Sequence, residues 1–383
     1  MNKWIKDFPM LKNDIVYLDN AALILKPKIV IDEIYNYYTN ISISNRTKDS
    51  KLGIKVDSKI NETREKVATL LNCQDDEIIF TSGTTDSLNY ASLLLENLLK
   101  KGDEIILSKL NHASNIVPWL ELAKRTKAKI VLSLDITKSI TKKTKLICIS
   151  QVNNSFQARE NLDVVYEMAN KVGAYLVNDA AQAIAYEKVS FDNSHIIAFS
   201  TNKFYGPTGL GILAIKKEIL NKCEAKRYGG GSIDFVALNN DWKSKDTIIM
   251  HEPGTMNLAG IFGFNAALDY FNSLNLTEIN KYIHELSEYL FDELAKVDNL
   301  RISSKRGDSI ILFYVKGIEP QDVSSYLGHN NIYVRSGIFC NQYLKYIKDK
   351  TYVRVSLSFY NTKEDIDKLT TALKRGGDFL GFL

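Results

Sequence analysis

Five short apolar runs in this chain are each followed, within five residues, by side chains with chemistry to offer. After Phe80 comes TSGTTDS, with Gly83, Thr84 and Thr85; after Ser108 comes KLNHASN, with His112. After Ser150 comes QVNNS, with Asn154; after Val177 comes NDAAQA, with Asp179 and Gln182; after Ser200 comes TNKFYGPTGLG, with Lys203. In a parallel α/β sheet, ligands gather at the carboxyl ends of strands, so these positions form one potential site. Gly83 permits close backbone approach, and the hydroxyls and amides of Thr84 and Thr85 at a helix start suit a phosphate-like anion. An ordinary helix cap suits the same stretch. Lys203, on a tight loop between the strands HIIAF and GLGILAI, is either a solvated amine or a presented one.

An anion cradle, a histidine, an aspartate and a lysine at successive strand ends match the needs of pyridoxal phosphate. That cofactor requires a lysine amine for its aldehyde, a carboxylate against its ring nitrogen, an anion site and a flat group over the ring. The carboxylate keeps the nitrogen protonated by charge pairing. Asp179 and Lys203 lie 24 positions apart, about one strand–loop–strand excursion. Each residue alone is weak evidence; the ordered set is strong.

The elements that must position these residues alternate in type. Helical periodicity over 26–39 and 57–72 precedes the strand DEIIF, and DSLNYASLLLENLLKKG reads as one amphipathic helix closed by Gly102. Then follow strand EIILS, helix 114–126, strands KIVLSL and KLICIS, helix 161–172, strand AYLVN and strands at 195–200 and 211–215. Strands apolar on both faces argue for a mostly parallel sheet covered by helices. Long helices over 258–273 and 278–297 lead into a different pattern: SIILFYV, PQDVSSYLGH, IYVR, YVRVSL and a last helix, 362–375. The expected division is a large domain over 16–271 and a smaller α+β domain over 272–383, with residues 1–15 packing near the latter.

The 383 residues are 45% hydrophobic and 25% charged, enough for two or three structural domains. The net charge of +4 is spread along the chain and gives no reason to invoke nucleic acid. No segment approaches the roughly 20 apolar residues of a membrane span, and MNKWIKDFPMLKND lacks an apolar signal core, so a cytoplasmic protein is expected. The four cysteines show no CxxC pair and no metal-ligand spacing. Cys73, Cys148 and Cys223 fall in regular apolar patterns and read as packing residues; Cys340, in RSGIFCNQY, does not.

Longer runs carry a family resemblance: YLDNAA (17–22), FTSGTTDSLN (80–89), HASNIVPW (112–119), DAAQA (179–183), FYGPTGLGIL (204–213), EPGTMNLAGIFGFNAALDY (252–270), VRSGIFC (334–340) and VRVSLSFYNT (353–362). Over almost its whole length the sequence resembles class V aminotransferases of fold type I, and within them the group II cysteine desulfurases. The resemblance implies a pyridoxal-phosphate enzyme with Lys203 as the Schiff-base lysine and Asp179 as partner of the ring nitrogen. It implies His112 stacked on the ring, Gln182 and Asn154 bonding the ring hydroxyl side or substrate, and Thr84, Thr85 and Ser200 on the phosphate. Thr255 would reach the phosphate of a second subunit, which implies a homodimer. Arg354 would bind the substrate carboxylate, a task suited to a guanidinium fork.

Cys340 falls where the family keeps its catalytic cysteine. The implied reaction converts L-cysteine to alanine and leaves a persulfide on Cys340 for a sulfur acceptor, typically a scaffold for iron–sulfur clusters. Several positions depart from the usual pattern: Asn202 stands for a histidine, Ser82 for an arginine, Gln157 for a glycine, and Ile338 and Phe339 for a polar pair. The alternatives are another class V enzyme that does not use Cys340 (a selenocysteine lyase, epimerase or aminotransferase) and a catalytically silent interaction subunit.

Overall fold

A computed structural model describes residues 2–47, 49–343, 346 and 350–375. The chain forms two compact units, one of residues 29–151 and 160–271, the other of residues 1–28, 152–159 and 272–383. The split is discontinuous: residues 16–28 and 152–159, which the sequence pattern assigned to the large domain, cluster with the smaller unit.

The larger unit is built on a seven-stranded sheet. Its strands are β1 (Ile78–Thr81), β2 (Glu104–Ser108), β3 (Lys129–Ser133), β4 (Thr144–Ser150), β5 (Tyr175–Asp179), β6 (Ile196–Ser200) and β7 (Gly211–Ile215). They lie in the order β1-β7-β6-β5-β4-β2-β3. Strands β2 to β6 pair in parallel, while β7 runs antiparallel to both its neighbours, β1 and β6. The central strands are fully buried: Ile147, Cys148, Leu176, Val177, Ile197, Phe199, Ile212 and Leu213 have no exposed surface. Such strands read as continuous apolar runs because both sheet faces are covered.

Local signals set the helix ends. Ser50 caps Lys51–Leu71 by accepting from Gly53 N, and left-handed Asn72 closes it. Asn161 and Gly173 do the same for Leu162–Val172, whose apolar side packs on β4 and β5. The helix expected to run to Gly102 is shorter. It spans Thr84–Leu94 and gives way to a tighter turn at Glu96–Leu98, where Leu94, Leu95 and Leu99 are all buried. Tertiary burial overrides periodicity there, and Gly102 (φ 92°) serves the turn into β2 instead.

The smaller unit carries an antiparallel sheet of β8 (Leu300–Ile302), β9 (Ile310–Val315), β10 (Arg335–Gly337) and β11 (Tyr352–Ser356), in the order β8-β9-β11-β10. Residues 16–17 pair in parallel with 332–333, and Asp19 bridges to Ser356. Helices Leu276–Ala295, Pro320–His329 and Lys363–Arg375 complete it. Its core holds Ile311, Leu312, Phe313, Val353 and Val355, all without exposed surface.

Candidate active site

In the larger unit, the parallel strand ends bring several of the expected residues together. Asp179 is the last residue of β5 and is 4% exposed. Its carboxylate accepts from Ala181 N at 3.1 Å and from the Ser150 hydroxyl, at the end of the adjacent β4, at 3.4 Å. Burial pushes its pKa up; the Ala181 N–H, the positive charge of Lys203 and the Ser150 hydroxyl pull it back. Lys203 is close enough for its charge to be felt by that carboxylate, as the 24-residue spacing anticipated.

Lys203 ends a single tight turn after β6. Thr201 organises the turn: its hydroxyl donates to Pro207 O at 2.6 Å, and its carbonyl accepts from Phe204 N and Gly206 N at 2.8 and 2.9 Å. Gly206 has no room for a side chain, since a Cβ there would lie 2.9 Å from Thr201 Cβ. Phe204 and Tyr205 beyond it are fully buried. A loop pinned this way presents its lysine in one place.

The anion cradle forms where Thr84–Leu94 begins. Ser200, at the end of β6, accepts from Thr84 N at 2.8 Å and meets the Thr84 hydroxyl at 2.7 Å. Thr85 meets the Ser114 hydroxyl at 2.7 Å, and Ser114 meets His112 Nδ1 at 3.0 Å. Ser114 N also donates to His112 Nδ1 at 3.2 Å, so that ring nitrogen accepts and the neutral ring carries its proton on Nε2. A chain of hydroxyls therefore links His112 to the cradle. Gly83, at φ 153°, lies against Gly211, where a Cβ would sit 2.4 Å from Gly83 Cα. Gly211 was not singled out from sequence; its only signal was its place in the glycine-rich bend. Asp86, in the first turn of the helix, is neutralised by an ion pair with Arg227 and accepts from Ser82 N at 3.0 Å.

Gln182 lies half-buried on the turn three residues past Asp179. Thr255 is exposed, on the loop entering Leu258–Asn272, and no hydrogen bond among the described residues joins it to the cradle. Arg46 braces that loop by donating to Gly230 O and Gly254 O at 3.0 and 3.1 Å.

In the smaller unit, Arg354 on β11 is 2% exposed. It donates to Asp19 Oδ1 at 2.7 Å and to the Asn154 carbonyl at 3.0 Å, and its plane lies 4.9 Å from the Phe339 ring centroid. Burial lowers its pKa, partly offset by Asp19. Arg354 Nε and Asn154 Oδ1 are buried without a hydrogen-bond partner among the described residues. Orphaned buried donors and acceptors of this kind are costly and point to a ligand that satisfies them. Asn154 Nδ2 donates to Phe339 O at 2.9 Å, which ties Asn154 to the residue before Cys340. Phe339 and Cys340 both adopt left-handed backbone, φ 54° and 58°, and the Cys340 side of this turn is exposed. In the sequence Asp19 is one residue of the YLDNAA run; its role as the counter-ion of Arg354 emerges from the fold.

Gln157 explains its own departure from glycine. Its φ is 51°, a conformation glycine adopts freely, and its side chain compensates by accepting from Ser309 N at 2.6 Å and donating to the Ser309 hydroxyl at 2.8 Å.

A lysine and a buried aspartate at neighbouring strand ends, beside a hydroxyl-lined helix start, on a mostly parallel sheet, define a fold-type I transferase. The class-V aminotransferase profile matches residues 16–369, and the chain belongs to that family. It is 35% identical to a probable cysteine desulfurase of Ureaplasma parvum, over the whole of both chains. It is 34% identical to one of Borreliella burgdorferi, with 97% of this chain and 94% of that protein aligned. Among solved structures it superposes on the cysteine desulfurase CsdA of Escherichia coli with TM-score 0.90, at 29% identity and 97% coverage of each chain. A cysteine desulfurase of Thermococcus onnurineus gives 0.91, at 29% identity and 96% coverage of each.

Proposed function

We propose that this protein is a cysteine desulfurase that uses pyridoxal 5'-phosphate to convert L-cysteine to L-alanine and passes the sulfur on through Cys340. The observation that carries it is the buried Asp179 carboxylate at the end of β5, with Lys203 on the turn that follows the neighbouring parallel strand β6. A carboxylate so placed suits a protonated ring nitrogen, whose positive charge favours the ionised carboxylate. The hydroxyls of Thr84, Thr85 and Ser200 at a helix N-terminus suit the phosphate. The residues present therefore fit the cofactor.

When bound, the cofactor supplies an electron sink for the carbon bearing the substrate amine. Lys203 Nζ anchors it and then acts as the base that takes the substrate Cα proton. His112, fixed in its tautomer by Ser114, offers a flat face and a proton on Nε2. Gln182 is assigned to the ring-hydroxyl side. Arg354, its fork already half-engaged by Asp19, binds the substrate carboxylate. Asn154 turns its unpartnered Oδ1 to substrate. Cys340 Sγ attacks the substrate sulfur as a thiolate. A new S–S bond forms, the C–S bond breaks with its electron pair kept by the β-carbon, and protonation of that carbon together with return of the Cα proton from Lys203 yields alanine.

We infer a homodimer in which Thr255 serves the second subunit's phosphate site. Its exposure supports this, as does an apolar stripe of Ile31, Tyr35 and Tyr38, which are 44%, 70% and 63% exposed. A sulfur-acceptor protein completes the cycle. No helix among the described residues is long and apolar enough to cross a membrane, and four free thiols support a reducing, cytoplasmic setting. The test is incubation with L-cysteine, pyridoxal phosphate and a reductant, assaying alanine and sulfide together. Equal amounts of both are expected from the wild type. Alanine formed at an unchanged rate by Cys340→Ser would overturn the assignment of that thiol, and absence of any borohydride-fixed cofactor on Lys203 would overturn the whole proposal.

A further inference from the structure

The sheet of the larger unit ends at β1, whose outer main-chain groups need partners. They find a buried ion pair instead of another strand. Glu252 Oε1 accepts from Phe80 N at 2.8 Å, and Arg64 Nη1 donates to the Ile78 carbonyl. The two side chains meet as a fork, Nη1 to Oε1 at 2.9 Å and Nη2 to Oε2 at 2.7 Å, and are only 6% and 2% exposed. The Arg64 guanidinium also lies 4.6 Å from the Phe80 ring centroid. Together they satisfy a donor and an acceptor of β1 much as a neighbouring strand would.

Where the pair sits matters more than the bonds it makes. Phe80 is three residues before Gly83 and four before Thr84, the residues of the anion cradle. Glu252 is three residues before Thr255, and Arg64 comes from the long helix Lys51–Leu71. One ion pair thus ties that helix, the strand feeding the cradle and the loop carrying Thr255 to a common point. A buried ion pair is a weak source of net stability, because desolvation cancels much of its Coulombic gain. A fork with four fixed bonds is a good positional reference.

We propose that Arg64 and Glu252 are positioning residues for phosphate recognition: they set the place of the TSGTT cradle and of the Thr255 loop. This rests on the cofactor assignment above. Neither side chain touches the phosphate, so the effect must pass through backbone position.

The test separates positioning from simple stability. Apoprotein of wild type, Arg64→Lys and Glu252→Asp is titrated with pyridoxal phosphate and with pyridoxal, which lacks the phosphate, by intrinsic fluorescence. Both substitutions keep the charge and spoil the fork. Wild type should bind the phosphorylated form far more tightly. Each variant should lose about tenfold or more in affinity for pyridoxal phosphate while its affinity for pyridoxal changes less than about twofold, as expected for misplaced charge-assisted hydrogen bonds. Leu162→Ala, in a separate apolar cluster, lowers the melting temperature and should leave that ratio unchanged. A ratio unchanged in both charge-conserving variants would overturn the proposal, as would unfolding of both, which would make the pair a folding element. A wild type that did not distinguish the two ligands would sink the cofactor assignment itself, a failure visible before any variant is made.

Discussion

The phosphate cradle of the larger unit and the cysteine turn of the smaller one are built on opposite plans. In the cradle, Thr84 and Ser200 bond each other twice, Thr85 and His112 share Ser114, and Gly83 lies against Gly211 with no space to spare. The turn at 338–341 is closed by a local backbone bond, Asn341 N to Ile338 O, and has two successive left-handed residues that carry side chains. The cysteines repeat the contrast. Burial raises the Cys73 thiol to about 12, the Cys223 thiol to about 11 and the Cys148 thiol well above its ordinary value, while Cys340 is exposed. A group that must hold a charge in one place is held by many bonds. A sulfur carrier must be reachable by whatever takes the sulfur, and the one exposed thiol is the one in the strained turn.

The comparison can be broken first at Lys203. Lys203→Ala should lower alanine formation by on the order of 10³-fold or more, since it removes both anchor and base; rates from purified protein measure it. Cys340→Ser should cut sulfur delivery about as deeply yet leave cofactor binding within twofold of wild type, which visible absorbance and persulfide labelling separate. If cofactor binding fell as well, the two regions would not be functionally distinct. In the wild-type protein, brief alkylation should modify Cys340 ahead of the three cysteines whose thiols burial protects, as peptide mapping would show.

Arg354→Lys should raise KM for cysteine roughly tenfold with a smaller change in kcat, because lysine keeps the charge and loses the fork that Asp19 and the Asn154 carbonyl orient. Gly211→Ala should weaken cofactor affinity several-fold, by pushing Gly83 out of a contact that leaves no room for a Cβ. It should leave alkylation of Cys340 unchanged.

The smallest effect concerns stability. The folded pKa of Asp179 is raised, so its charged form costs stability above that pKa, and the cost fades as pH falls from there toward the unfolded value, below which it is gone. Apoprotein carrying Asp179→Asn should therefore melt a few degrees higher than wild-type apoprotein at neutral pH. The difference should shrink as the solution is acidified, in a thermal scan across pH. Added cofactor should reverse it, because only the wild type gains a cationic partner for the carboxylate.

Much of the site could be read from residue order because each side chain sits just past a strand whose apolar run is plain in sequence: IIAFS before Lys203, YLVND ending in Asp179. Helix Pro320–His329 was legible to the residue, with proline at its start and a basic residue in its last turn. The early end of Thr84–Leu94 was not, because nothing in its periodicity marks where leucines at 94, 95 and 99 find their neighbours. The assignment of 16–28 and 152–159 to the smaller unit was equally hidden. Contacts such as Asp19 with Arg354 join residues more than 300 positions apart, and local pattern carries no information about them.

The amino-acid order by itself determined the kind of chemistry: strand-end lysine, aspartate, histidine and hydroxyls, and a cysteine outside any packing pattern. Such features depend on residue type and on neighbours a few positions away. Tertiary structure alone decided which carboxylate answers Arg354, which glycine makes room for Gly83, and that Arg64 and Glu252 close the edge of the sheet. Those outcomes depend on burial and on distances across the fold. An ion pair takes its meaning from what surrounds it, and only the folded chain supplies the surroundings.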